Sequence, residues 1–324
     1  MPATGPRGDA RGGTLSDFRC SASSEARWED LAGSASTVSA FLMLEHPGPW
    51  GVNALRDARL PDGVGEELRA HASAAGVRLL LIRRPGRTAT AGPGAAADAG
   101  RRIFAVHARA PYSWTETALL DDPRAVLDLD LAELRAGRSL GLEAHDEPVF
   151  AVCTHGRHDA CCAERGRPVA AALASVLPEH VWEVSHLGGD RFAANMLVAP
   201  DGFYYGRLDP ESAVAIARAR IAGDVELDHL RGRSCYPMPV QAAEIALRRH
   251  LGLTSPGGLR LATRAQTGEA AKGDGLVTDT TFVHDGQAYA VRVRTTHSDP
   301  VTLTCRAVRD QVALQHQIVG LERV

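Results

Sequence analysis

The chain has 324 residues, 44% of them hydrophobic and 23% charged, with a net charge of −3. That is too long for one small domain, and the composition is that of an ordinary soluble globular protein. No long basic run supports a nucleic-acid partner, and no apolar stretch reaches the roughly 18 residues needed to cross a bilayer.

The opening MPATGPRGDARGG is rich in Gly, Pro and Arg and lacks the apolar segment of a secretory signal, so residues 1–14 are expected to be a disordered N-terminus on a cytoplasmic protein. The apolar run within Thr37–Glu45 predicts a buried strand closed by the turn-rich HPGPWG. A helix over Val64–Ala75 follows, then strands at Val77–Ile82 and Ile103–Ala108. Between these strands, Pro85–Arg101 reads as loop. Its Gly92, Gly94 and Ala97 form a GxGxxA pattern, but a dinucleotide site needs a strand immediately before it and a helix opening on it. Residues 15–145 are therefore expected to be an N-terminal α/β domain. With no ligand cluster or phosphate loop between Cys20 and Leu142, it is expected to be a scaffold without a cofactor.

Pro111–Gly141 reads as a linker carrying the short amphipathic helix DLDLAELRAG. The strand PVFAV then delivers Cys153 at its end. Pro168, at a first helical position, is expected to begin VAAALASVL, stopped by Pro178. VWEVSH (Val181–His186) is a strand ending in His186, and NMLVA and GFYYG flank the turn at Pro200-Asp201-Gly202. Asp209 caps a helix with Pro210 at its first position, running to Gly223. The order β–α–β–β–α over residues 146–224 is that of a thioredoxin-like half. Residues 225–324 read as a small α+β segment with one helix (Pro239–Leu251) and a hairpin turning at Asp285-Gly286. The fold class is α/β.

Three of the six cysteines lie in VCTHGRHDACCAERG. Cytosolic thiols are kept reduced, so clustered cysteines there are more often metal-binding or catalytic than bridged, and adjacent Cys161 and Cys162 could not bridge without strain. In the second unit the strand ends converge. Cys153 and Cys162 are spaced C-x8-C, and His186 and Asp190 are spaced H-x3-D across Gly188-Gly189, making four potential ligands from two loops. Glycine backbone can wrap close to a metal and take positive φ. Iron can be held by thiolates on one side and harder N/O ligands on the other.

"VCTHGRHDACC" and "SHLGGDRFAANMLVAPDGFYYGRL" resemble the sucrase/ferredoxin-like family, whose members carry a thioredoxin-like [2Fe–2S] ferredoxin domain. "CSASSEARWEDLAGSASTVSAFLMLEHPGPWG" and "LRGRSCYPMPVQAAE" extend the resemblance from Cys20 to about Leu251. It implies Cys153 and Cys162 as thiolate ligands of one iron and an H-x3-H pair on the other. His186 fits the first member of that pair, while Asp190 stands in place of the second histidine. Asp190 is then either a ligand or an acceptor for the His186 ring N–H, with Cys161, another residue or water as the fourth ligand.

The implied function is a [2Fe–2S] electron carrier whose partner is a reductase or acceptor protein, with no nucleic acid or membrane. Rival readings are a structural zinc protein using the same four residues and a thioredoxin-like thiol redox enzyme, for which the C-x-x-C at a helix start is missing. Sucrose cleavage, suggested by the family name, would need two placed carboxylates, and no feature singles out such a pair. Among the neighbours, Cys161 is expected to be a core or loop thiol, and His155 and His158 exposed loop groups. Cys20, Cys235 and Cys305 are read as isolated, buried small hydrophobes. Arg191, Phe192 and Asn195 are expected to pack and stabilise the turn, and Arg231 and Arg233 to form a solvated loop or a docking patch for an acidic partner.

Overall fold

Ten strands form one mixed sheet and four more form a separate antiparallel sheet. The computed structural model describes residues 17–86, 100–268 and 275–324. The expected disordered N-terminus and the Gly92, Gly94, Ala97 pattern lie outside these residues.

The N-terminal half opens with α1 (Cys20–Ala26), followed by β1 (Ala40–Glu45), α2 (Ala54–Asp57), α3 (Val64–Ala74), β2 (Arg78–Arg83), β3 (Arg101–His107) and β4 (Trp114–Leu120). α4 (Leu131–Ala136) and the short β5 (Glu143–Ala144) complete it. The first five residues of β1 are all buried, as a strand covered on both faces requires. It pairs parallel with β2 and antiparallel with β3. The stretch expected as a linker from Pro111 to Gly141 is largely structured instead. Its WTETALL is β4, paired with β3 over seven residues, and its polar positions hid the strand.

The second half runs β6 (Val149–Cys153), α5 (Ala160–Val176), β7 (Val181–Val184), β8 (Met196–Ala199), β9 (Phe203–Tyr205) and α6 (Pro210–Ile221). β6 pairs parallel with β7 and antiparallel with β8, and β8 pairs with β9. The chain order β–α–β–β–α is as expected, and these strands lie in the sheet in the order β7-β6-β8-β9. The first half repeats it as β2-β1-β3-β4, and the two four-strand units join through antiparallel β2 and β7. At that seam Arg83 Nε lies 2.6 Å from Glu183 Oε2.

Helix α5 starts eight residues before Pro168, which sits inside it, not at its first position. Asp159 accepts from the Cys161 amide at 2.9 Å and starts the helix there, in its first turn placing Cys161 and Cys162. α6 begins as expected, with Asp209 and Ser212 forming a reciprocal cap ahead of Pro210.

After β10 (Leu230–Arg233), α7 (Met238–Leu251) lies on a sheet of β11 (Arg260–Thr267), β12 (Leu276–His284), β13 (Gln287–His297) and β14 (Leu314–Arg323). Val240, Ala243 and Leu247 pack there on Phe282, Val291 and Val293. The β12–β13 turn is at Asp285-Gly286, where both residues have positive φ. The outer strands β11 and β14 are largely exposed and carry no clean alternation, so the sequence shows only the central hairpin.

Candidate metal centre

Cys153 is the last residue of β6, Cys162 lies in the first turn of α5, and His186 follows the end of β7 by two residues. The parallel strands β6 and β7 thus carry their carboxyl ends to one place, the usual position of ligands in open α/β sheets. One contact brings α5 close and another fixes the end of β6. Gly166 faces the Cys153 carbonyl so tightly that a Cβ would stand 2.1 Å from the oxygen. The Cys153 amide is fixed at 2.9 Å on Asn195 O.

The Sγ atoms of Cys153 and Cys162 and a ring nitrogen of His186 lie within 4.8 Å of one another, as do ligand atoms of His158, His186 and Asp190. Cys162 Sγ stands 3.2 Å from Asp190 Oδ1, and His186 Nδ1 is 3.0 Å from the same oxygen. That nitrogen is buried yet lies off the direction of a good hydrogen bond, leaving it without an aligned partner. Cys153, Cys162 and His186 thus form one group, and Asp190 touches it through Cys162 and His186. The structure also brings in His158, whose ring stacks on His186 at 3.8 Å and whose Nε2 is 3.9 Å from Asp190 Oδ2.

These side chains shift one another's protonation. A hydrogen bond from the Cys162 thiol, helped by His186, holds the buried Cys153 thiol well below its ordinary range. Cys162 is pushed up in turn by that bond to Cys153, by burial and by Asp190. Burial opposes a charge on His186, but Asp190 and Cys153 outweigh it and raise the imidazole to about 9. Burial opposes a charge on Asp190, but the close approach and charge of His186 outweigh it and hold the carboxyl low.

His155 is not an exposed loop group. It is 3% exposed, its Nδ1 accepts from the His186 amide at 3.2 Å, and its Nε2 therefore carries the proton donated to Gly51 O at 2.9 Å. It fixes the backbone of His186, whose carbonyl also accepts from Arg78 at 2.8 Å, so the N-terminal half helps position the site.

Arg231 and Arg233 form neither a solvated loop nor a docking patch. They are 1% and 2% exposed on β10. Arg231 donates to Gly188 O at 3.0 Å and to Asn195 Oδ1 at 2.7 Å, and Asn195 donates to Gly189 O at 2.9 Å, clamping the turn between His186 and Asp190. Gly189, at φ 79°, leaves room for that guanidinium, since a Cβ there would come within 2.2 Å of it. Arg191 pairs with Glu29 at 2.7 Å, and Phe192 is buried beneath three arginines, as the packing role expected of them requires.

Cys20 and Cys305 are not isolated, and Cys161 is not a plain core thiol. These three sulfurs meet beside Asp159, on another flank of α5 from Cys162. Successive helix residues point about 100° apart, which sends Cys161 and Cys162 into different side-chain groups, and the Cys-Cys pair was the available sequence signal of the second group. Cys235, half-buried beside Tyr236, belongs to neither group.

Fold and site together define an α/β protein with a thiolate, imidazole and carboxylate group able to hold a metal. Residues 31–232 match the sucrase/ferredoxin-like family model, and the chain belongs to that family. The match is shorter than the resemblance traced from Cys20 to Leu251. No curated protein and no solved structure matches the chain. No helix among the described residues is long and apolar enough to cross a membrane.

Proposed function

We propose that this protein is a one-electron carrier that binds a [2Fe–2S] cluster through Cys153, Cys162, His186 and Asp190. The observation that carries this reading is the pair of buried thiols within 4.8 Å of a buried imidazole nitrogen that has no aligned partner among the described residues. Two soft thiolates against a nitrogen and an oxygen suit iron in a mixed-ligand cluster. When bound, the cluster supplies a reversible one-electron couple.

The chain's own residues do the rest. Cys153, Cys162 and Asp190 are buried, keeping water from the sulfur side, while the side chains of His186 and His158 are 28% and 37% exposed. The imidazole side therefore faces a redox partner protein, a reductase or an acceptor, and the compartment that suits reduced thiols is the cytoplasm. His155, Arg78 and Arg231 hold the backbone on either side of the ligands. His158 is the second candidate for the fourth position, favoured by its stacking on His186.

Purified protein should be red-brown, should lose that colour with dithionite, and should contain about two irons and two acid-labile sulfides per chain. Cys153→Ser and Cys162→Ser should be colourless. Colourless wild-type protein with zinc bound by these residues would refute the reading in favour of a structural zinc site.

A further inference from the structure

Cys20 at the start of α1, Asp159 and Cys161 at the start of α5, and Cys305 in the loop joining β13 to β14 place four ligand atoms within 4.8 Å of one another. We propose that they form a second metal site, a structural zinc centre distinct from the one described above.

Geometry carries the proposal. Zinc bonded to sulfur at about 2.3 Å in a tetrahedron puts its sulfurs about 3.8 Å apart, and an oxygen at about 2.0 Å lies about 3.5 Å from each sulfur. Here Cys20 and Cys161 are 3.7 Å apart, Cys161 and Cys305 3.4 Å, and Cys305 and Cys20 3.5 Å. Both carboxylate oxygens of Asp159 are 3.7 Å from Cys20 Sγ. The three sulfurs thus stand near the spacing of one tetrahedral face, with the carboxylate within 4.8 Å of each of them.

The carboxylate is held in place for this. Asp159 is 1% exposed. Its oxygens accept from the amides of Cys161 at 2.9 Å and Cys305 at 2.8 Å, which orient it toward the sulfurs. Loading releases three thiol protons to solvent, leaving three thiolates, one carboxylate and Zn²⁺. Outer hydrogen bonds are in place for two of the sulfurs. Ser21 Oγ donates to Cys161 Sγ at 3.3 Å, and the Cys20 amide donates to Cys305 Sγ at 3.4 Å.

The site also accounts for the loop from 298 to 313. It has no helix or strand of its own beyond the bridge from Val301 to Gln311, is about half exposed, and makes long-range contacts spanning 285 residues to Cys20 and 144 to Cys161. Loops of that length in a compact protein are usually functional or tied down. The zinc would bind this loop to α1 and α5, one helix face away from Cys162.

The test is metal analysis of full-length protein purified without chelator. Wild type should hold about one zinc per chain, and Cys305→Ser, altering a half-exposed loop residue, should lose it at least about tenfold while keeping the iron and colour of the first site. Zinc retained in Cys305→Ser, zinc lost with Cys162→Ser but not Cys305→Ser, absence of zinc, or a disulfide among the three cysteines by non-reducing mass spectrometry would each overturn the proposal. If Cys305→Ser does not fold, X-ray absorption at the zinc edge of wild type decides. Three sulfurs near 2.3 Å with one oxygen near 2.0 Å support the site, and a shell of nitrogen and oxygen alone overturns it.

Discussion

Replacing Arg231 by Leu should destabilise the fold by about 3–5 kcal/mol and loosen the candidate metal centre. The side chain is 1% exposed and donates to four acceptors. Nε reaches Ser34 Oγ at 3.1 Å, Nη1 reaches Gly188 O at 3.0 Å and Asn195 Oδ1 at 2.7 Å, and Nη2 reaches Ser34 O. The backbone carbonyls cannot be exchanged for apolar groups, so truncation leaves them buried and unpaired at roughly 1–3 kcal/mol each. Relief of the guanidinium's own desolvation, which lowers its pKa to about 10, subtracts from that sum, and the cavity beside Phe192 and Tyr204 adds to it. Urea unfolding of metal-free wild type and Arg231→Leu measures the difference, with Arg231→Lys expected to fall between them. Arg69→Ala is the control, since its pair with Glu66 is solvent-exposed and worth less than about 1 kcal/mol. An Arg231→Leu protein within about 1 kcal/mol of wild type at unchanged m-value would refute the reasoning.

Three further outcomes are expected. Asp190→His should raise the midpoint potential of the reconstituted protein, because a neutral ligand replaces an anion, and an unchanged potential would take Asp190 out of the coordination sphere. Gly166→Ala, which drives a Cβ to 2.1 Å from the Cys153 carbonyl, should cost at least about 2 kcal/mol in chemical denaturation and weaken metal retention, and a near-neutral effect would show that α5 can shift freely. His46 is 3% exposed with both ring nitrogens unpartnered, and burial, then Arg101 and Arg83, lower its pKa from 6.5 to about 4. The unfolded chain then takes up a proton before the folded one does. Stability is full above pH 6.5 and falls by up to about 3 kcal/mol as pH drops toward 4. His46→Phe should flatten that slope relative to wild type in acid titrations followed by circular dichroism, and parallel slopes would exclude His46 as the cause.

Local signals in the chain were strong where one segment decides the outcome. Apolar runs located β1, β2, β3 and β6, the Asp209-Pro210 cap located α6, and the Asp285-Gly286 turn located the β12–β13 hairpin. The spacings from Cys153 to Cys162 and from His186 to Asp190 were likewise legible, because strand ends and a glycine turn carry them to the same end of the sheet. Segments that depend on a neighbour were harder. WTETALL became β4 because β3 offered an edge, and RLATRAQT became β11 because β12 did. Pro168 reads as a helix start, yet the Asp159 cap begins α5 earlier.

The sequence by itself determined the class of the fold, the family, and the four residues offered as ligands, since these rest on periodicity, caps and motifs within short windows. Only the tertiary structure decided that two four-strand units of the same order join edge to edge through β2 and β7, that Arg231 and Arg233 are buried beneath the turn, and that His155 fixes His186. The meeting of Cys20, Cys161 and Cys305 around Asp159 belongs with these. Each requires contacts between residues distant along the chain, and such contacts depend on how whole elements pack, which no local window of side chains encodes.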